Sequence, residues 1–169
     1  ANENWCMIGY HSVSVLADAV AKGLPLDKEE VLKAMVSSST IPYLDGTGEY
    51  MEKGYVALDH NGSAASLTLE YAYDDWTIYH TALLAGNRSV ADTYKKRAAN
   101  YTNVFDTNMG YARPRYADGR WKENFNLLNT HGEGFIEGNA LNYSFYVPQD
   151  VDNMIRLMGG DKSFVSKLD

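Results

Sequence analysis

One period dominates residues 63–84. Ala65, Leu69, Ala72, Trp76, Tyr79 and Leu83 step by 4, 3, 4, 3 and 4, which is a single face of an α-helix. Glu70, Asp74, Thr77 and Thr81 form a polar stripe at the same step. A helix of this kind is stabilised mainly by laying its apolar stripe on other elements, and Gly86 marks its end. Shorter stretches carry the same period. Val13, Leu16, Ala17, Val20 and Ala21 predict a helix from Ile8 to Lys22, stopped by Gly23. Asp27, with Glu30 three residues on, has the capping-box pattern for a second helix that turns Val31, Leu32 and Met35 inward. Further helices are predicted over 89–105, over 138–146 before Pro148, from Asp150 as cap through Leu157, and from Asp161 onward.

Two long stretches separate these helices. Residues 43–62 hold Gly46, Gly48, Gly54 and Gly62 and read as loop, with Tyr55 to Leu58 as a short extended piece. Residues 106–136 hold Gly110, Pro114, Gly119, Gly132 and Gly134 and read as irregular. No strand-rich block and no fixed-period repeat interrupts the pattern. The expected class is therefore all-α, built from helical hairpins with long loops between them. Loops of that length in a compact domain commonly carry function.

Composition narrows the partners. Lys plus Arg is 15 and Asp plus Glu is 22, a net charge of −7. Neither nucleic acid nor an anionic membrane would be attracted to such a chain. No apolar run approaches the ~20 residues that span a bilayer. The single cysteine, Cys6, excludes an internal disulfide and a multi-thiolate zinc site. His60, His80 and His131 show no metal-ligand spacing with it or with the acids. Thirteen Tyr and three Trp supply flat rings with polar tips, which suit a sugar cleft and also suit helix packing. The first five residues, Ala1 to Trp5, hold no initiator Met and no signal-peptide pattern, and Asp169 falls within a predicted helix. The chain 1–169 thus reads as one segment of a longer protein.

Two places invite chemistry. Asp74 and Asp75 precede Trp76 on the long helix. Adjacent helical residues point ~100° apart, so the two carboxylates cannot converge as an acid/base pair. One can face a cavity while the other meets solvent. The plainer alternative is a polar helix face beside a packed Trp. Glu137 sits in Gly132-Glu133-Gly134-Phe135-Ile136-Glu137-Gly138-Asn139, where glycines let a ligand approach the backbone. Phe135 and Ile136 could desolvate its carboxyl as a general acid requires, and Asn139 could orient it or bind a hydroxyl. The alternative is an exposed glutamate at a helix start. His11 reads as a satisfied core histidine.

Several blocks, taken together, resemble a known family. They are Trp5-Cys6-Met7-Ile8-Gly9-Tyr10-His11, Ser66 to Trp76, Tyr101-Thr102-Asn103-Val104-Phe105-Asp106, Asp118-Gly119-Arg120-Trp121, and Glu137-Gly138-Asn139-Ala140 followed by Tyr143-Ser144-Phe145 and Val147-Pro148-Gln149-Asp150. In this order, over nearly the whole chain, they resemble the catalytic domain of glycoside hydrolase family 92, the calcium-dependent exo-acting α-mannosidases. The resemblance implies about half of an (α/α)6 barrel, the fold of that domain. It implies that Glu137 is the general acid that protonates the departing glycosidic oxygen. The family inverts, so a second carboxylate activates water from the opposite face, ~6.5–9.5 Å from the first.

The resemblance puts that base and most calcium ligands beyond Asp169, with no metal ligand assigned within the chain. It implies mannose-containing glycans and the rest of the parent polypeptide as partners. It also implies a bacterial periplasm, a cell surface or the medium as location. The segment alone is expected to lack turnover. Leu141 and Gln149 stand where the family often has Trp and His. Asn139, Trp76, Asp74 and Asp75 are the expected substrate contacts, with Glu137 facing a hollow bordered by Trp76 and Asn139. Another α/α-barrel glycosidase or phosphorylase, or a helical carbohydrate-binding module without chemistry, remains as an alternative.

Overall fold

The computed structural model describes residues 9–169. Trp5, Cys6 and the predicted helix start at Ile8 lie outside the described residues. Eight α-helices are described: α1 (Ser12–Ala21), α2 (Lys28–Ser38), α3 (Thr47–Lys53), α4 (Ala64–Leu84), α5 (Arg88–Arg97), α6 (Ala140–Tyr143), α7 (Val151–Leu157) and α8 (Asp161–Leu168). A 3-10 turn over Asn100–Val104 leads into a small antiparallel pair, β1 (Phe105–Asp106) and β2 (Tyr111–Ala112), with Phe105 opposite Ala112. The fold is mostly helical, as the periodicity predicts.

Helix α4 is the hub, and α1, α2, α5 and the 3-10 turn all pack on it. Two apolar clusters lie along its flanks. Ala65, Leu69 and Ala72 join Tyr101, Phe105, Phe135 and Val147 in one; Ala64, Leu67, Tyr71, Ile78 and Ala82 join Val13, Leu32, Met35 and Tyr50 in the other. A helix wrapped in this way cannot keep a solvated polar face. The predicted polar stripe of Glu70, Asp74, Thr77 and Thr81 is buried. Thr77 and Thr81 satisfy their hydroxyls on the α4 carbonyls of Asp74 (2.8 Å) and Thr77 (3.0 Å). The predicted apolar stripe instead surfaces toward its end: Trp76 and Tyr79 are half-buried and Leu83 is exposed.

Other boundaries move for local reasons. The region expected to be a loop over 43–62 contains α3. Gly46 and Gly54, at φ 77° and 78°, adopt the left-handed conformation at its two ends. The same glycines that suggested a loop therefore delimit a helix. Glu49 on α3 accepts the amide of Ala57 at 2.8 Å, which ties down the stretch expected to be extended. The helix predicted over 89–105 stops at Arg97 and tightens to 3-10 before β1. That over 138–146 shortens to α6. Asp27 caps α2 as predicted, accepting from the amides of Glu29 and Glu30. Asp150 precedes α7 without capping it, because its carboxylate accepts the Tyr101 hydroxyl at 2.7 Å.

Candidate functional site

Asp74 and Asp75 diverge around α4, as a 100° step requires, yet neither reaches solvent: both are fully buried. Asp75 points into a saturated cluster. The Tyr10 hydroxyl donates to Oδ1 at 2.7 Å, while the Tyr50 hydroxyl (2.9 Å) and Arg97 Nε (2.8 Å) donate to Oδ2. Arg97 also donates to the Tyr10 oxygen at 3.0 Å and to the Ser39 carbonyl at 3.1 Å, and lies over the Tyr50 and Tyr94 rings. Burial raises the Asp75 pKa, and the Arg97 charge and these hydrogen bonds oppose the rise. Burial and the Asp75 charge together push the Tyr10 and Tyr50 phenols well above their ordinary range. With every oxygen engaged, Asp75 is a packing ion pair. The expectation of a substrate contact there gives way to this cluster.

Asp74 points the other way, to His11. His11 stands at the N-terminal boundary of α1, not inside the helix, and its ring is shared by two carboxylates. Nδ1 lies 2.8 Å from Asp74 Oδ1, and Nε2 lies 3.2 Å from Glu70 Oε2. The Tyr10 amide completes Asp74 at 3.0 Å. Burial works against a charge on His11, but hydrogen bonds to Asp74 and Glu70 overcome it and raise its pKa to about 10. Burial raises Asp74 to about 6 against the pull of His11. The imidazolium is the form these two neighbours favour, so His11 is satisfied as predicted, through charge. The Glu70 Oε1 atom accepts the Tyr143 hydroxyl at 3.0 Å, and Tyr146 also bonds to Glu70. Glu70, Asn142, Tyr143 and Tyr146 border a cavity of about 250 Å³. Neither His11 nor Glu70 stood out as a site residue in the sequence. The available signal was the four-residue spacing of two acids on a stripe with no basic residue nearby in sequence.

Glu137 lies on the loop before α6. Its φ is 50°, a left-handed conformation that non-glycine residues adopt at a cost. Gly134, at φ 83°, turns the same loop, and its carbonyl accepts the amides of Ala65 and Ser66 at the start of α4. Phe135 is buried in the core, Ile136 is half-buried, and Glu137 is exposed. The apolar pair therefore anchors the loop and does not enclose the carboxyl. Glu137 borders a cavity of about 540 Å³ with Thr130, His131, Gly132, Phe135 and Ile136.

Neither Trp76 nor Asn139 borders that hollow. Asn139 caps α6, accepting from the amides of Leu141 and Asn142 while Asn142 accepts its amide in return. Its side-chain nitrogen reaches the Leu128 carbonyl at 3.3 Å. This reciprocal capping occupies the side chain expected to orient Glu137. Trp76 stacks on Tyr73, with ring centres 6.1 Å apart. It borders an apolar groove of about 500 Å³ between α1 and α4, together with Ala17, Ala21, Leu83 and Leu84. It also borders a 270 Å³ cavity with Tyr79, Lys95 and Gln149, whose amide atoms are buried without a hydrogen-bond partner. Asp74 connects toward the Glu137 loop by hydrogen bonds through His11, Glu70 and Tyr143, and Trp76 does so by ring contacts through Tyr73, Tyr146 and Tyr143.

Calcium binds through six to eight oxygen ligands. Among the described residues no group of three or more His, Cys, Asp and Glu is arranged to hold a metal. The buried carboxylates already have protein cations: Asp74 and Glu70 share His11, Asp75 has Arg97, Asp106 has Arg113 at 2.8 Å and Glu133 has Lys122 at 3.1 Å. These residues do not fit a calcium site. No helix among them is long and apolar enough to cross a membrane.

Comparison with known proteins supplies the remaining context. Residues 1–169 match the glycosyl hydrolase family 92 catalytic domain. The chain is similar to a solved family GH92 α-mannosidase from Bacteroides thetaiotaomicron, with a TM-score of 0.93 and 38% identity over 99% of this chain and 22% of that one. It is similar to a family GH92 inverting mannosidase from Bacteroides thetaiotaomicron VPI-5482, with a TM-score of 0.90 and 34% identity over 99% of this chain and 24% of that one. An uncharacterized secreted glycosidase of Arthroderma benhamiae is 26% identical over 95% of this chain and 26% of its own length. The chain spans about a quarter of the length of these relatives.

Proposed function

The chain belongs to glycosyl hydrolase family 92, and from that premise we propose that it supplies the leaving-group side of an inverting exo-α-mannosidase, with Glu137 as general acid. Membership sets aside a barrel from another glycosidase or phosphorylase family. The observation that carries the role is the state of Glu137: an exposed carboxyl at a cavity rim, on a backbone held at φ 50°. Asn124 holds the same φ of 50° at an exposed position, so the strain supports the role through its place at the cavity rim, within the family's Glu-Gly-Asn block. In the proposed reaction the Glu137 carboxyl gives its proton to the glycosidic oxygen as the bond from the sugar carbon breaks. A second carboxylate, which we place outside 1–169, takes a proton from the water that attacks the opposite face.

The substrates are terminal α-mannosides of glycans. We assign calcium, which would coordinate sugar hydroxyls and favour ring distortion, to ligands outside this chain, and no step here runs through it. Secretion or a surface location is proposed from the secreted relative. The chain alone is expected to be inactive, because one carboxylate cannot serve as both acid and base.

The test compares leaving groups in the full polypeptide that carries these residues. Glu137→Gln should depress turnover by about 10²–10⁴-fold for a mannoside with a poor leaving group. It should depress turnover far less for an activated aryl mannoside, which departs without protonation. Equal loss on both substrates would remove Glu137 from the acid role.

A further inference from the structure

Asp74 and Glu70, both buried, and His11, half-buried between them, are not used in that reaction and form a chain of contacts that leads to Tyr143 beside the Glu137 loop. Asp74 Oδ1 meets His11 Nδ1 at 2.8 Å, His11 Nε2 meets Glu70 Oε2 at 3.2 Å, and the Tyr143 hydroxyl donates to Glu70 Oε1 at 3.0 Å. Tyr143 in turn supports the acid loop. Its ring lies 5.8 Å from that of Phe135, and its Cδ2 would be 3.1 Å from a Cβ added at Gly138. Residues 135 and 138 bracket Glu137. The Glu137 charge is one of the influences, after burial and Glu70, that hold the Tyr143 phenol above its ordinary range.

We propose that His11 is a positioning residue for the acid, acting through Glu70 and Tyr143 on the turn that presents Glu137. The inference rests on the reading of Glu137 as general acid. The physical reason lies in the spacing of Glu70 and Asp74. Two carboxylates four residues apart on one buried helix face repel each other, and the His11 ring stands between them. Without it Glu70 has a direct escape, because it borders the 250 Å³ cavity that also contains the edges of Tyr143 and Tyr146. Once Glu70 turns into that space, the Tyr143 hydroxyl loses its acceptor and the ring loses its register against Phe135 and Gly138. A proton donor displaced by about 1 Å loses on the order of 10²-fold in rate.

The path also explains why two tyrosines converge on one buried glutamate. Tyr143 and Tyr146 approach Glu70 from the segment that follows the acid loop, while His11 approaches from the beginning of α1. The carboxylate thus joins three separate parts of the chain at the edge of the acid loop. Asp74 completes the arrangement from behind, fixing the ring through Nδ1 so that Nε2 is aimed at Glu70.

The experiment measures kcat and KM on poor and activated leaving groups in the full polypeptide for His11→Gln, Tyr143→Phe, the double variant and Glu137→Gln. The expected result is a fall in kcat of about 10²-fold on the poor leaving group for His11→Gln, with a much smaller fall on the activated one. KM should change little. Tyr143→Phe should show the same selectivity, and the double variant should be no worse than the more severe single, because both break one path.

Tyr143→Phe retains the ring and its packing, so it carries the test if His11→Gln fails to fold. Losses equal for both leaving groups, losses that multiply in the double variant, or a lowered Tm with kcat unchanged would each overturn the positioning role. If Glu137→Gln itself shows no leaving-group selectivity, the acid reading falls first and takes the inference with it. If Glu137→Gln is selective and the other variants are not, the inference alone fails.

Discussion

Asp74 and Asp75 are neighbours in sequence and equally buried, yet their surroundings are of opposite kinds. Asp75 ends in a closed cluster, where Tyr10, Tyr50 and Arg97 use both oxygens and Arg97 lies over the Tyr50 and Tyr94 rings. Nothing in that cluster borders a cavity with Glu137. Asp74 begins an open path, in which each group engages the next until the last, Glu70 with its two tyrosines, borders a cavity. The closed cluster fixes how α4 packs on α2, α3 and α5. The open path connects α4 to a loop that carries an exposed carboxyl. Burial of a charge therefore does not by itself mark a site; what marks one is where the hydrogen bonds lead.

The comparison breaks most visibly at Arg97. Arg97→Ala removes the cation and leaves the Asp75 carboxylate buried with two phenols for support. An uncompensated buried charge of this kind costs about 3–5 kcal/mol, a large part of a domain's stability. The midpoint of urea unfolding should fall accordingly, with an unchanged slope. A loss below about 1 kcal/mol would show that the cluster is not the closed, packed unit described here.

The open path should respond to pH through the charge of His11. The His11 pKa is raised to about 10 in the folded chain, against about 6.5 when unfolded. Its contribution is therefore fully present below pH 6.5 and is lost as pH rises through about 10. Asp74, raised to about 6 from 3.8, has its own window below that of His11, because the folded state holds its proton more tightly. Between pH 6.5 and 10, stability should decline by a few kcal/mol in the parent chain, and His11→Gln should remove most of that decline. The His11 ring resonances should remain those of an imidazolium at pH 8. A neutral ring at pH 7 would dissolve the path.

The same contrast explains what the sequence could and could not disclose. Helix α4 was legible to within a residue because its period is local. The divergence of Asp74 and Asp75 was legible too, since a helical step fixes it. Their shared burial was not, because their cations come from elsewhere in the chain: His11 is 63 residues from Asp74 and Arg97 is 22 from Asp75. Local spacing carries no record of such pairings. Asn139 presents the opposite case, a polar residue beside a candidate acid whose side chain also serves the exposed amides of α6. Helix α3 was hidden because left-handed glycines at both its ends look, in sequence, like a loop. The family resemblance located Glu137, and geometry then revealed what lies behind it.

The smallest expected effect lies at the end of the open path, and its sign is the informative part. Glu137 is held at φ 50° while its side chain is exposed, so its own backbone is strained and little packing offsets the strain. Glycine adopts that conformation freely, but it also gains freedom in the unfolded chain. The relief of about 1–2 kcal/mol expected for a left-handed non-glycine residue thus exceeds a penalty of about 0.5–1 kcal/mol. Glu137→Gly should leave stability unchanged or raise it by up to about 1.5 kcal/mol, measured by urea unfolding, while abolishing turnover of poor leaving groups in the full polypeptide. A residue retained for packing would give the reverse sign. Destabilisation by more than about 1 kcal/mol would mean that the carboxylate stabilises the fold as the closed cluster does, and the distinction between the two sides of α4 would no longer hold at Glu137.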